Sequence, residues 1–271
     1  MKIVKITLIT LLFLLGSIAI AQSGEEKTTT TPPAPTSTEQ ATEETETTEE
    51  AETEEFPKIV APEQRFDFGY SPEGFFLVHA YALRNEGNAE LTIQRVRTTC
   101  GCTKAPLKKM ELEPGEEVDI TLIFNSSRYR HSTSKSAIIT SNDPVNRSVR
   151  VTFTANMDTT GFVFSVEPWG LDIPVGTDPP ETMVFDITND SDNKVKLRVV
   201  DYTEGVLSEP RLLDDELKSG GKTKLELTLT EEFDAAMNYI QASVTIEASG
   251  LGEDGSQTMR FTLPVKGSGP Q

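Results

Sequence analysis

The chain has 271 residues, with 43 Asp and Glu against 25 Lys and Arg, and a formal net charge of −18. That balance argues against nucleic-acid binding, which needs a Lys/Arg surface to neutralise phosphates. With two histidines, no Gly-x-Ser-x-Gly elbow and no phosphate-cradling glycine loop, the usual hydrolase and nucleotide-enzyme constellations are absent as well, and the expectation is a non-enzymatic protein.

Lys2 and Lys5 precede an apolar run over 6–15, and small residues follow as far as Ala19-Ile20-Ala21. This is the pattern of a secretory signal peptide over 1–21, cleaved before Gln22. The run is shorter than the ~20 residues of a spanning helix, so an uncleaved signal anchor is the weaker alternative. No cysteine lies near the cleavage site to carry a lipid, and no later stretch is apolar enough to span a membrane. The expected address is periplasmic or extracellular. Residues 22–55 are built almost wholly from Thr, Glu, Pro, Ala and Ser, with eleven Glu against Lys27 alone. Such a segment cannot bury a core and reads as a disordered, self-repelling acidic linker.

From Arg65 the pattern alternates in twos. Phe66 and Phe68 share a face, Ser71-Pro72-Glu73-Gly74 makes a turn, and a strand runs from Phe75 to Arg84. Asn85-Glu86-Gly87-Asn88 then carries the signal of a hairpin leading into a return strand over 89–97, since Asn and Gly tolerate the positive φ of tight turns. A Leu112-Glu113-Pro114-Gly115 turn precedes Val118, Ile120, Leu122 and Phe124, and 137–140 and 149–155 supply two more strands. Six or seven short strands in about 100 residues with no helical period predict an immunoglobulin-like Greek-key sandwich over 56–157.

The order Phe66-x-Phe68-Gly69, Tyr81-x-Leu83-x-Asn85-x-Gly87, Leu91-x-Ile93, Cys100-Gly101-Cys102-Thr103, Pro114-Gly115-Glu116 and Ser141-Asn142-Asp143-Pro144 resembles the bacterial secreted family named domain of unknown function 1573. That family in turn resembles the immunoglobulin-like modules of abnormal-spindle and hydin type. The resemblance covers Arg65 to about Ala155. It implies a fold and an extracytoplasmic address, and brings no established activity.

A weak repeat extends the pattern to 158–271. Asn189 follows Met183, Phe185 and Ile187 as Asn85 follows Tyr81 and Leu83, with Leu197 and Val199 answering Leu91 and Ile93. Ser219-Gly220-Gly221-Lys222 precedes Leu225, Leu227 and Leu229 as Pro114-Gly115-Glu116-Glu117 precedes Val118. The fold class is therefore all-β, two tandem immunoglobulin-like sandwiches, the second without cysteine: Thr203-Glu204-Gly205-Val206 stands where the first has Thr99-Cys100-Gly101-Cys102. Trp169 is expected to plug the end of the second sandwich. Phe233, Ala236 and Met237 have helical spacing, which suggests a short connecting helix over 231–238.

The two cysteines are the chain's main chemical feature. In an extended strand residues i and i+2 lie about 6.6 Å apart, so a bridge needs a turn at Gly101, and it would close almost no loop and contribute little stability. Four readings stay open: a reducible pair in thiol exchange, a thiolate clamp for copper or zinc, pairing between molecules as a covalent dimer or mixed disulfide, and a tight turn in which the thiols are incidental. A metal would need further ligands, for which His79, Met110 and His131 are the candidates; none is at a ligand spacing from Cys100 and Cys102, so the expectation is no cofactor, with copper or zinc as the alternative. Arg128, Tyr129, Arg130 and His131 form a basic island suited to an acidic partner. Carbohydrate binding is disfavoured because few aromatics are free to stack. The expected role is binding or assembly with a protein partner in the cell envelope or outside the cell. The alternative is a thiol-redox or copper/zinc-handling protein acting through Cys100 and Cys102.

Overall fold

The computed structural model describes residues 54–174, 178–234 and 239–267. The expected signal peptide, the expected linker up to residue 53 and residues 235–238 of the expected helix lie outside them; Glu231 and Glu232 form a turn. Every regular element among the described residues is a β-strand, and no helix there is long and apolar enough to cross a membrane.

In chain order the first half holds β1 (Ile59–Val60), β2 (Arg65–Tyr70), β3 (Phe76–Asn85), β4 (Leu91–Thr98), β5 (Thr103–Lys104), β6 (Glu111–Leu112), β7 (Glu117–Asn125), β8 (Ser132–Ser141) and β9 (Ser148–Asn156). The second holds β10 (Phe164–Glu167), β11 (Leu171–Ile173), β12 (Met183–Asn189), β13 (Val195–Tyr202), β14 (Arg211–Leu212), β15 (Glu216–Leu217), β16 (Lys222–Leu227), β17 (Ile240–Leu251) and β18 (Gln257–Gly267). The two-residue period decides the faces. In β7, Ile120, Leu122 and Phe124 are buried while Glu117 and Asp119 face outward. β7 meets β3 in antiparallel register, Leu77 opposite Phe124, Tyr81 opposite Ile120 and Leu83 opposite Val118.

The first core lies between a sheet ordered β1-β3-β7-β5 and the strands β2-β9-β8-β4-β6, and it is filled by Phe68, Tyr81, Leu91, Phe124 and Phe153. The second lies between β10-β12-β16-β14 and β15-β13-β17-β18, around Phe185, Leu197, Leu225 and Phe261. Trp169 packs at the margin of that second core, its ring stacked on Phe162 at 4.9 Å. A parallel bridge from Tyr70 of β2 to Phe261 of β18 joins the two larger sheets into one of ten strands.

The Asn85–Asn88 segment is not a hairpin. β3 pairs with β1 and β7, whereas β4 pairs with β6 and β8, so the chain crosses there from one sheet to the other. The reason is the Asn85 side chain, which is fully buried. Its amide donates to the carbonyls of Ala89 (2.8 Å) and Leu112 (2.9 Å), and its oxygen accepts from the Gly87 N–H (2.9 Å). Asn189 repeats the arrangement between β12 and β13, donating to Asn193 (2.8 Å), Leu217 (3.3 Å) and Lys218 (3.1 Å). Backbone clasps match too: Gly115 N–H donates to Asn85 O and Gly220 N–H to Asn189 O, both at 2.8 Å, each glycine at positive φ. The repeat's apolar register differs from the sequence reading by two residues. Leu91 faces Leu112 across β4 and β6, and Val195 faces Leu217 across β13 and β15, so Val195 and Leu197 answer Leu91 and Ile93.

Candidate functional site

The Cys-Gly-Cys turn lies where the chain leaves β4 and changes sheets to enter β5 against β7. Thr99 fixes its start, with its N–H donating to the Ser136 carbonyl (3.0 Å) and its Oγ1 accepting from the Ser136 N–H (3.1 Å). Its far side is held by the Asn125 N–H donating to the Cys102 carbonyl (2.9 Å). Between these anchors the Cα atoms of Cys100 and Cys102 are 5.3 Å apart and the sulfurs are joined in a disulfide. Gly101 supplies the bend without positive φ, and a Cβ there would meet nothing within 4 Å.

The two sulfurs have different surroundings. Cys102 packs against the first core, and the Tyr129 hydroxyl donates to its Sγ at 3.1 Å. Tyr129 is aimed there from the β7–β8 connection by its ring, which packs on Phe124 (5.0 Å) under the Lys135 ammonium (4.7 Å). The Thr103 hydroxyl sits between both sulfurs, 3.5 Å from that of Cys100 and 3.7 Å from that of Cys102. Sequence reasoning placed Tyr129 in a contact loop and missed it, with Thr103, as a cysteine partner; the separation of 27 positions from Cys102 to Tyr129 leaves no local signal.

Beside the bridge opens a cavity of about 670 Å³ whose walls include Cys100, Cys102, Lys104, Arg128, Tyr129 and Gln241. Of the basic island, Arg128 lines this cavity, while Arg130 reaches Glu73 (3.6 Å) and His131 reaches Asp158 (3.9 Å). Among the described residues neither Lys104 nor Arg128 has a carboxylate within 4.0 Å.

The proposed auxiliary ligands are placed elsewhere. His79 is buried at 6% exposure, stacked on Phe66 at 3.7 Å, with Nε2 3.2 Å from Glu63 and Nδ1 2.9 Å from Asp201 but out of hydrogen-bonding line with it. Met110 is exposed, its carbonyl accepting from the Ile93 N–H at 2.7 Å. Neither they nor His131 share a hydrogen bond or ion pair with either cysteine among the described residues, and no group of three His, Cys, Asp or Glu there is placed to hold a metal ion.

Residues 59–157 match the model of a family described as protein of unknown function (DUF1573). No curated protein matches the chain. Among solved structures it is similar to the VesB protease of Vibrio cholerae (10% identity, 37% of this chain and 31% of that chain, TM-score 0.32). It is also similar to a PapD-like domain of human CEP192 (10% identity, 37% and 85%, TM-score 0.32) and to a protein of unknown function from Porphyromonas gingivalis W83 (15% identity, 77% and 99%, TM-score 0.32). The chain thus spans about a third of the protease it matches.

Proposed function

We propose, on the site carried by the residues 59–157 that match the DUF1573 family model, a non-enzymatic binding or assembly role, outside the cytoplasm, through the end of the first sandwich that bears the Cys-Gly-Cys turn. One observation carries the reading: an acidic chain of net charge −18 brings Lys104 and Arg128, two cations with no carboxylate within 4.0 Å among the described residues, to the wall of a cavity that Tyr129 also lines. Such a surface favours an acidic segment of a partner protein, whose carboxylates the two cations would meet while Tyr129 supplies rigid contact area. Loops at the end of a sandwich are free to serve as contacts because the sheets behind them carry the stability. The export part of the proposal is supported by the signal-peptide pattern over 1–21 and by a disulfide, which persists in oxidising compartments.

The test is site-directed photo-crosslinking of the full exported chain in its host. A photo-reactive residue in place of Ser127, beside the cavity, is expected to give a discrete crosslinked partner, and Lys104→Glu with Arg128→Glu is expected to abolish it. The same residue in place of Lys196 in β13 serves as control. Equal crosslinking from both positions, indifferent to charge reversal, would remove the assignment.

A further inference from the structure

The binding role makes no use of the bond between Cys100 and Cys102, and the bond contributes little to the fold. It closes a loop with one residue inside it, so the chain entropy it withholds from the unfolded state is minimal. The second half supplies an internal control. There Thr203 N–H donates to the Ser243 carbonyl (3.1 Å) and Thr203 Oγ1 accepts from the Ser243 N–H (3.0 Å), the same clasp that Thr99 makes with Ser136. The chain then turns through Glu204 and Gly205 and bridges back through Leu207 to Leu229, where the first half pairs Thr103 with Phe124. The second turn forms with no cysteine. A bridge that the fold does not require, half-buried in the wall of an open cavity, is chemistry waiting for a reactant.

We propose that the Cys100–Cys102 bond is a thiol–disulfide exchange site with a fixed polarity, for an exported protein or small molecule bearing a dithiol. Cys100 Sγ is the sulfur attacked and Cys102 Sγ is the leaving group. The asymmetry comes from Tyr129 and the core. The hydroxyl at 3.1 Å from Cys102 Sγ is a donor that a departing thiolate accepts, and stabilising the thiolate makes it the better leaving group. Lys104 and Arg128 add positive charge in the same cavity, the surroundings that favour thiolate over thiol. Among the described residues Cys100 Sγ meets one hydroxyl, that of Thr103 shared with Cys102, and Cys100 is not among the side chains packed on the core.

In the first step a thiolate of the dithiol forms a bond to Cys100 Sγ while the Cys100–Cys102 bond breaks and its electron pair leaves on Cys102 Sγ. In the second, the other thiol of the reactant loses its proton and attacks its own bridged sulfur, expelling Cys100 as thiolate. The reactant's two protons end on the two cysteines. The dithiol is oxidised to a disulfide and the Cys100–Cys102 pair is reduced by two electrons.

Reduced glutathione, a monothiol with no second thiol of its own to resolve the mixed disulfide, is the probe. The oxidised full-length chain is exposed to it, quenched in acid, alkylated with N-ethylmaleimide and cleaved with trypsin, and the fragment Thr98–Lys104 is sequenced by mass spectrometry. The expected result is glutathione on Cys100 and the maleimide on Cys102, in roughly tenfold excess over the reverse. Tyr129→Phe keeps the ring on Phe124, and so the fold, but removes the donor; it is expected to slow opening about tenfold and erode the preference, the size of one hydrogen bond to a charged acceptor. A structural tyrosine would change neither. Glutathione predominantly on Cys102, an even split, a preference unchanged in Tyr129→Phe, or a bridge that opens only on denaturation would each overturn the proposal.

Discussion

At Asp143 a single carboxylate ties together three pieces of backbone. It accepts from the N–H groups of Val145 and Asn146 in its own turn, each at 2.8 Å, and from Ile59 in β1 at 3.0 Å, and the residue is 1% exposed. Burial alone would raise its pKa, but the Asn146, Val145 and Ile59 donors together with Lys58 hold it below the usual carboxylate value. A depressed folded-state pKa means stability that is fully present above the ordinary carboxylate range and lost as pH falls through the folded value. Asp143→Ala is therefore expected to cost about 2–4 kcal/mol at neutral pH in denaturant unfolding. The same variant should lose less stability than wild type on acidification below about pH 4; an identical acid limb in both would contradict the assignment. By contrast Gly101, whose φ is not positive and whose Cβ would point into open space, should accept Ala with a change within about 0.5 kcal/mol and with the bridge intact by mass.

Elements show where the sequence is readable and where it stops. Alternation in β2, β7 and β9 marks both the strands and their buried faces, because a period of two leaves one set of side chains for the core, whereas β3 also buries Val78 on its other face, where its backbone meets Ser243. Turn residues report only local φ, so Asn85-Glu86-Gly87-Asn88 could not tell a hairpin from a crossover. That distinction belongs to where the Asn85 amide finds its carbonyls, one of them 27 residues away in β6. The candidate site divides the same way: the adjacent cysteines and the basic loop were visible, whereas their meeting through Tyr129 depends on how the β7–β8 connection folds back beside the turn. Replacing Asn85 by Ala leaves buried carbonyls and the Gly87 N–H without partners and is expected to cost about 2–4 kcal/mol. Asn189→Ala should cost a similar amount, and the pair should add within about 0.5 kcal/mol because the two corners share no partner. Strong coupling between them in a double-mutant cycle would contradict separate corners.

Across the whole molecule the two cores are locked by polar contacts rather than by a loose linker. Ser243 Oγ of β17 accepts from the Val78 N–H (3.0 Å) and donates to the Val78 carbonyl (3.2 Å), and Thr262 Oγ1 of β18 donates to the Phe68 carbonyl (2.6 Å). Asp201 stands against His79 at the same junction. Gly69, at φ +64°, lets β2 run so close to β18 that a Cβ would overlap the Arg260 carbonyl. Gly69→Ala should accordingly cost about 2–4 kcal/mol and separate one unfolding transition into two in calorimetry; a single transition at the wild-type midpoint would show that the halves do not depend on this approach. The junction contributes Gln241 to the cavity wall, so the site is built on both halves.

The Cys100–Cys102 bridge is proposed to serve exchange and not the fold. Its most direct test is the unfolding free energy of the Cys100→Ser/Cys102→Ser double variant against oxidised wild type in denaturant. The two should differ by no more than about 1 kcal/mol, since the equivalent turn at 203–206 forms without cysteine and the closed loop is minimal. A loss of about 3 kcal/mol or more would make the bridge a structural staple and contradict the account.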